Sequence, residues 1–341
     1  MFITYIKITY IMQKSDSHDI KEFKDVRLAN KKGFYFDILK RVFTDSDYIF
    51  LLGKLLKVKV LKKKTPFFAI CDLNNICNLK CKHCYWWLNR DKEKKELTTE
   101  DWREIIHYRL KKNHILQVNL VGGEPMLRTD IIEVFNEEMY GKYTIVTNGT
   151  YELIPFSGLI YYVISIDGTK ENHDKIRGKT FDKIVDNVTK FVNDNGKKVM
   201  ISMTINSWNC DDVVEVAEFW KEFAESINFQ FHTPFMENDP LWIPYGKQKN
   251  KIVEDILSLK QKYPHYVINE EKQLNLMKNT WGGNANGPIN CPNWAIIALD
   301  HRADDKIPCC IGGAGKEDMR PMCENCGMSN YSSLFVRGIH L

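Results

Sequence analysis

Short apolar segments alternate with longer amphipathic segments between residues 67 and 263, and this alternation most constrains the fold. The apolar segments predict strands at residues 67–71, 116–121, 143–147, 161–166, 199–205 and 229–232. Helical spacing of apolar residues predicts helices at residues 98–113, 130–140, 181–195, 213–224 and 248–263. Strands that alternate with helices form a parallel sheet covered by helices. We therefore expect an α/β fold, a partial (β/α)6 barrel, with its chemistry at the carboxyl ends of the strands.

Two segments flank the predicted barrel of residues 66–265. Residues 266–341 hold five cysteines and show little apolar periodicity, which predicts a small metal-stabilised module. Residues 1–65 predict a helical, basic amphipathic arm, because apolar residues at helical spacing precede six lysines between positions 54 and 64. Such a helix can bind an anionic membrane surface. The alternative is a helix that covers the barrel core and leaves its lysines in solvent.

The composition excludes several classes of protein. Hydrophobic residues make up 44% and charged residues 27% of the 341 residues, which is typical of a globular protein and excludes a disordered chain. The net charge of +4 gives no indication of a nucleic-acid partner. No apolar segment approaches the roughly 18–20 residues that span a bilayer, and no secretory signal is present. We expect a cytoplasmic protein whose basic arm can reach the membrane face.

Eight of the ten cysteines fall into two clusters. The first reads C-x3-C-x2-C and consists of Cys77, Cys81 and Cys84, directly after the first predicted strand. Short cysteine spacings in a reduced compartment indicate a metal site. Three thiolates can hold three irons of a 4Fe–4S cluster and leave the fourth iron open for chemistry. The alternative is a zinc site that recruits His83 or Cys71 as its fourth ligand.

Further polar motifs follow the later strands. They are Gly122-Gly123-Glu124-Pro125, Asn148, the pair Ser165 and Asp167, and then Arg177. Paired glycines let the backbone approach a ligand closely, and the planar guanidinium of an arginine suits a carboxylate. Each motif alone is weak, because two glycines often mark only a turn. Together, at consecutive strand ends after a three-cysteine loop, they indicate one shared site.

With these motifs, residues 66–232 resemble the radical S-adenosylmethionine (radical SAM) superfamily. The resemblance implies that the first three cysteines hold a 4Fe–4S cluster whose open iron binds SAM. It also implies a set of SAM contacts: Gly122, Gly123, Glu124 and Pro125 at the methionine amino group, Arg177 at its carboxylate, Ser165 and Asp167 near the ribose, His83 near the adenine, and Asn148. Reductive cleavage would then give a 5′-deoxyadenosyl radical that abstracts hydrogen from an unactivated carbon. A ferredoxin- or flavodoxin-type electron donor is the implied partner.

The second cluster consists of Cys291, Cys309, Cys310, Cys323 and Cys326. It resembles the auxiliary-cluster module of the same superfamily, in its short twitch form or a trimmed SPASM form. The resemblance implies a second 4Fe–4S cluster closed by four thiolates, with one member of the adjacent pair left over. The sequence does not decide which of the two is the ligand. A structural zinc ribbon is the alternative.

The substrate class stays open between three alternatives. The overall layout resembles adenosylhopane synthase-like, lipid-acting members of the superfamily, which favours an archaeal-type isoprenoid lipid and C–C bond formation or cross-linking. This interpretation predicts a long apolar tunnel that reaches the SAM site. The second alternative is a ribosomally made peptide that receives a thioether or C–C cross-link. Another small molecule is the third.

Three residues are candidates for handling the substrate radical. His232 follows the sixth predicted strand and is either a general base or a satisfied core histidine. Cys210 either returns a hydrogen atom to the substrate or is a small buried apolar residue. Tyr85, with Trp86 and Trp87, either packs on the cluster and lines a tunnel or belongs to the core.

Overall fold

The computed structural model describes residues 45–89, 96–278, 291–314, 320–337 and 339. Its centre is a parallel sheet of β1 (Phe68–Asp72), β2 (Gln117–Val121), β3 (Tyr143–Thr147), β4 (Leu159–Ser165), β5 (Val199–Ile205), β6 (Ala224–Phe231) and β7 (Ile296–Leu299). The spatial order is β6-β5-β4-β3-β2-β1-β7, and the sheet is open between β6 and β7. This topology confirms the predicted α/β partial barrel.

Helices connect the strands in chain order. They are α1 (Asp45–Lys59), α2 (Tyr85–Asn89), α3 (Thr99–Ile105, continued by a π-helix at Ile106–Lys111), α4 (Thr129–Glu138), α5 (Lys170–Arg177), α6 (Phe181–Asn195), α7 (Val213–Trp220), α8 (Lys247–Lys262), α9 (Glu271–Leu276) and α10 (Ser329–Val336). A short antiparallel pair, β8 (Lys306–Ile307) and β9 (Gly313–Ala314), follows β7. The predicted helix at 213–224 was too long, because it ends at Trp220 and β6 begins at Ala224.

The two faces of the sheet have different characters. Successive side chains of a strand point to opposite faces. In β5, Ile201 and Met203 are buried in the hydrophobic core between the sheet and its helices. Ser202 and Thr204, which alternate with them, line a cavity on the inner face. The outer face therefore provides stability, and the inner face provides the polar groups of a site.

The seventh strand is an addition to the six that the sequence predicts. The apolar residues of β7 pair in parallel with β1, with Phe68 opposite Ile296 and Cys71 opposite Leu299. A run of four apolar residues carries too little periodicity to be recognised as a strand from the sequence. Its pairing seats the cysteine-rich segment beside β1, the strand that leads into the first cysteine loop.

The N-terminal helix α1 covers one end of the barrel. Leu51 and Leu55 are buried in a cluster with Phe67, and Lys54 Nζ donates a hydrogen bond of 2.6 Å to the carbonyl oxygen of Asn113. Lys54 is therefore buried, whereas the other five lysines of this segment are exposed, as expected for a helix that covers the core and leaves its lysines in solvent. Residues 1–44 of the predicted arm and residues 279–290 of the predicted C-terminal module lie outside the described residues. Among those described, no helix has the length and apolar character to cross a bilayer.

Candidate active site

The three-cysteine loop lies between β1 and α2, at the carboxyl end of the sheet. Cys81 is within electrostatic range of both Cys77 and Cys84. Burial raises the pKa of the Cys77 thiol to about 11 and that of the Cys84 thiol to about 12. Coordination by a metal reverses this effect, because a coordinating thiol is deprotonated. The loop thus gathers the three thiols at the edge where the sequence predicts the site.

Gly122 and Gly123 lie against the entry to this loop. A Cβ atom on Gly123 would lie 2.0 Å from the carbonyl oxygen of Ile76, and Gly122 has a φ of +136°. The backbone N–H of Gly123 donates to Oδ1 of Asn74 over 3.1 Å. Because only glycine permits so close an approach, this pair lets the start of the cysteine loop pack against the end of β2. Its predicted contact with SAM remains a prediction.

Glu124 is buried, and its carboxylate is satisfied within the protein. Oε1 accepts a hydrogen bond of 2.6 Å from the Thr147 hydroxyl, and Oε2 accepts one of 2.8 Å from the backbone N–H of Asn148. Burial raises the pKa of Glu124 against these hydrogen bonds. Glu124 therefore fixes the end of β3, where Nδ2 of Asn148 lies 4.0 Å from Sγ of Cys77. Pro125 begins a short 3-10 helix behind it.

Asp167 contacts two other predicted SAM contacts, His83 and Arg177. Its Oδ2 lies 3.2 Å from Nε2 of His83 and also accepts a hydrogen bond from Nε of Arg177. Burial would raise the pKa of Asp167, but Arg177 and His83 favour the carboxylate and hold its pKa below the usual value. Nη1 of Arg177 lies 3.8 Å from Sγ of Cys81. The Asp167 carboxylate therefore orients an arginine towards the cysteine loop.

Arg177 is the last residue of α5, a helix that the sequence analysis missed. The segment is mostly polar, and only His173 and Ile176 are buried within it. Its charge distribution was the available signal: Glu171 lies in the first turn, Lys175 and Arg177 lie in the last, and a glycine follows.

A cavity of about 250 Å³ occupies the inner face of the sheet beside Cys81, Cys84 and Arg177. Polar side chains enter it from five consecutive strands: Asn119, Thr144, Ser165, Ser202, Thr204, Asn228 and Gln230. Of these, only Ser165 was a sequence candidate. The signal for the others was a polar residue at every second position of strands whose remaining positions are apolar.

The candidate His232 lines this cavity. Its Nε2 lies 2.8 Å from Oδ2 of Asp239, and its ring centroid is 6.3 Å from that of His83. It is therefore both hydrogen-bonded and positioned at the cavity. Cys210 is absent from the described lining of the cavity, and its thiol instead approaches Nε2 of Gln248 at 3.6 Å.

The aromatic residues after the third cysteine divide between two environments. Tyr85 lines the cavity, and Nζ of Lys306 lies 5.2 Å from its ring centroid. Nε1 of Trp87 donates a hydrogen bond of 3.0 Å to the carbonyl oxygen of Leu79, and Trp86 is buried against it at a ring distance of 5.1 Å. The two tryptophans therefore brace the cysteine loop.

The C-terminal cysteines form a second, smaller site. A cavity of about 50 Å³ is lined by Cys291, Cys309, Cys323 and Cys326. The adjacent residue Cys310 is absent from that lining and lines the larger cavity instead. The structure thus separates the pair that the sequence leaves undecided.

Both sites suit the groups that the sequence implies. Cys81 and Cys84 border the larger cavity together with His83, whose Nδ1 is buried without a hydrogen-bond partner in the described part of the chain, as expected where a ligand supplies one. Four thiols around a small cavity suit a closed cluster. Within the described ranges, no three His, Cys, Asp or Glu side chains are arranged to hold a single metal ion.

Residues 73–220 match the family model described as Radical SAM superfamily. The chain is 29% identical over 163 residues to the sporulation killing factor maturation protein SkfB of Bacillus subtilis, covering 45% of this chain and 39% of SkfB. It is 30% identical over 210 residues to the Fe-coproporphyrin III synthase of Methanosarcina barkeri, covering 59% and 49%. The chain thus spans about two fifths to a half of these relatives.

The fold also resembles that of a solved structure. Streptococcus suis SuiB bound to the precursor peptide SuiA superimposes with a TM-score of 0.60 at 16% identity, covering 93% of this chain and 74% of SuiB. At this identity the match establishes the fold. None of these similarities supports the predicted resemblance to lipid-acting enzymes.

Proposed function

Because this chain carries a radical SAM domain over residues 73–220, we propose that it is an enzyme that modifies a peptide in the cavity beside the three-cysteine loop. When bound, a reduced 4Fe–4S cluster and SAM supply a 5′-deoxyadenosyl radical that abstracts hydrogen from carbon. Cys77, Cys81 and Cys84 would hold the cluster. The protein's own part is to bind, orient and shield the reactants.

Arg177 and Asp167 would hold the methionine end of SAM. A guanidinium binds a carboxylate through paired hydrogen bonds. Asp167 engages the Nε side of Arg177, and Nη1 lies beside Cys81. A ligand carboxylate next to the cysteine loop would therefore meet a guanidinium that is already oriented, which lowers the cost of ordering it on binding.

The choice of a peptide as the substrate class is based on the side chains that line the cavity. A hydroxyl or carboxamide side chain enters from each strand from β2 to β6. Such groups can hydrogen-bond to the backbone of a peptide in addition to their contacts with one another, such as the hydrogen bond of 2.8 Å from the Thr144 hydroxyl to Oδ1 of Asn119. SkfB is named as a maturation protein and SuiB is solved with a precursor peptide, which supports the same choice.

His232 would accept a proton from the peptide after a hydrogen atom has been removed, and an auxiliary cluster held by the C-terminal cysteines would supply the acceptor for the remaining electron. Asp239 orients its imidazole, and the pair borders the cavity. Removal of a positioned base slows a reaction by roughly 10²–10⁴-fold. We expect His232→Gln to slow product formation to this extent while 5′-deoxyadenosine still forms, because SAM cleavage does not require this proton transfer.

The proposal is tested with the reconstituted chain under anaerobic conditions with dithionite and SAM. The peptide, lipid and porphyrin fractions of the source cells are incubated in parallel, with Cys84→Ala as the inactive control. Mass spectrometry should show SAM-dependent loss of hydrogen atoms in the peptide fraction alone. Change confined to the lipid fraction would restore the lipid prediction. Change confined to the porphyrin fraction would place the chain with the Fe-coproporphyrin III synthase it resembles.

A further inference from the structure

Lys249 on α8 is a buried cation outside the barrel cavity. The residue is only 1% exposed. Its Nζ lies 4.2 Å from the ring centroid of Tyr245 and 4.7 Å from that of Phe231. No carboxylate among the residues that the structure describes forms an ion pair with it. An ammonium group buried without an anionic partner is costly, so its location calls for a negative charge nearby.

The two aromatic rings connect Lys249 to the second cysteine site. The Tyr245 hydroxyl donates a hydrogen bond of 3.1 Å to the carbonyl oxygen of Glu324, between Cys323 and Cys326. The backbone N–H of Phe231 donates one of 3.0 Å to the carbonyl oxygen of Gly327, directly after Cys326. Both residues that enclose the ammonium group therefore contact the segment that presents two of the four thiols.

The electrostatic surroundings of Lys249 indicate the same partner. Burial lowers its pKa to about 8, and the negative charge of a Cys326 thiolate acts in the opposite direction. The other buried lysine of this region, Lys306, differs because its Nζ is paired with Oδ2 of Asp72 at 2.8 Å. Lys249 thus has no carboxylate partner among the described residues, and the two rings around it contact the segment that carries Cys326.

We propose that Lys249 is the internal counter-charge of an auxiliary 4Fe–4S cluster and raises its reduction potential. The inference rests on the proposed binding of that cluster by Cys291, Cys309, Cys323 and Cys326. Four thiolates leave such a cluster negatively charged, and the negative charge grows when the cluster gains an electron. A fixed buried cation stabilises the reduced form more than the oxidised form, because Coulomb energies are large where water is excluded.

The test uses the 341-residue chain with Cys77, Cys81 and Cys84 changed to alanine, so that only the second cluster remains. Its midpoint potential is measured by redox titration followed by electron paramagnetic resonance. Lys249→Met should lower the potential so that the ratio of reduced to oxidised cluster at a given applied potential falls at least tenfold, which is about 59 mV for a one-electron couple. Lys251→Met is the matched control, because Lys251 is on the same helix and its side chain is 76% exposed.

A second pair of variants provides the test if Lys249→Met does not fold. Lys249→Arg keeps the charge and should keep the potential, whereas Lys249→Gln should lower it. Equal potentials in these two variants would overturn the role of Lys249. If the triple-alanine chain binds no iron–sulfur cluster, the proposed auxiliary site itself is wrong. If it binds one whose potential is the same in the Lys249→Met and Lys251→Met variants, only the inference about Lys249 fails.

Discussion

The two cysteine sites differ chiefly in the space around their thiols. Cys81 and Cys84 border a cavity of about 250 Å³ that also contains a guanidinium and polar side chains from five strands. The four C-terminal thiols border about 50 Å³, together with apolar and proline residues. A metal group with room for an exogenous ligand serves catalysis, and one closed by protein ligands serves structure or electron transfer. The contrast supports a catalytic first site and an auxiliary second site.

The sites are nevertheless joined through one peptide unit. Cys309 lines the small cavity and its neighbour Cys310 lines the large one. The pairing of β7 with β1 brings this segment next to the strand that leads into the first loop. Two regions more than 200 residues apart in sequence therefore share a wall, so changes at one site can be checked for their effect on the other.

The largest predicted effect comes from replacing one thiol at each site, which tests whether the two sites have different roles. Cys84→Ala should reduce 5′-deoxyadenosine formation to background while about four of the expected eight or so irons remain bound. Cys323→Ala should also reduce iron to about four per chain, yet uncoupled SAM cleavage should continue. Iron assays and chromatography of 5′-deoxyadenosine measure both. Equal loss of SAM cleavage in the two variants would contradict the division of roles.

The first site could be predicted largely from sequence because its residues follow strand ends. Strands with clear apolar patterns place their carboxyl ends together, so the motifs at 122–125 and 165–167 were expected beside the loop of Cys77, whereas Arg177 reaches that loop from the end of α5. What the sequence did not reveal was the internal use of these groups. The Glu124 carboxylate accepts a hydrogen bond from the backbone at the end of β3, and the Asp167 carboxylate forms an ion pair with Arg177. Such pairings depend on distances between elements that no local pattern encodes.

The second site was predicted less completely for a physical reason. The described residues between 291 and 337 form one four-residue strand, the two-residue strands β8 and β9, two short 3-10 helices and one eight-residue helix with a weak apolar face. The metal-binding spacing of cysteines was visible, but the choice between Cys309 and Cys310 depends on the path of the backbone around β8. The burial of Lys249 could not be predicted from the sequence either, because a lysine on an amphipathic helix is ordinarily solvent-exposed.

A smaller effect is expected when the two adjacent cysteines between the cavities, Cys309 and Cys310, are replaced one at a time. Cys309→Ala should cost the chain about four irons, because it removes one of four ligands of the closed cluster. Cys310→Ala is the matched control one residue away and should retain about eight irons. Iron and sulfide analysis of the two reconstituted variants gives the answer directly. Iron loss in Cys310→Ala but not in Cys309→Ala would reverse the assignment of the adjacent pair.

The smallest predicted effect concerns the guanidinium of Arg177 at the first site. Arg177→Lys keeps a positive charge but loses the paired hydrogen-bond geometry, so SAM affinity should weaken about tenfold, or ~1.4 kcal/mol. Iron content should not change, because Arg177 is not a cluster ligand. Equilibrium dialysis of SAM against the reconstituted variant measures the effect, with Arg103→Lys as the control, an arginine on α3 that pairs with Glu137 at the surface. If Arg177→Lys binds SAM as tightly as the Arg103→Lys control, Arg177 does not contact the carboxylate, and its fixed orientation serves only the ion pair with Asp167.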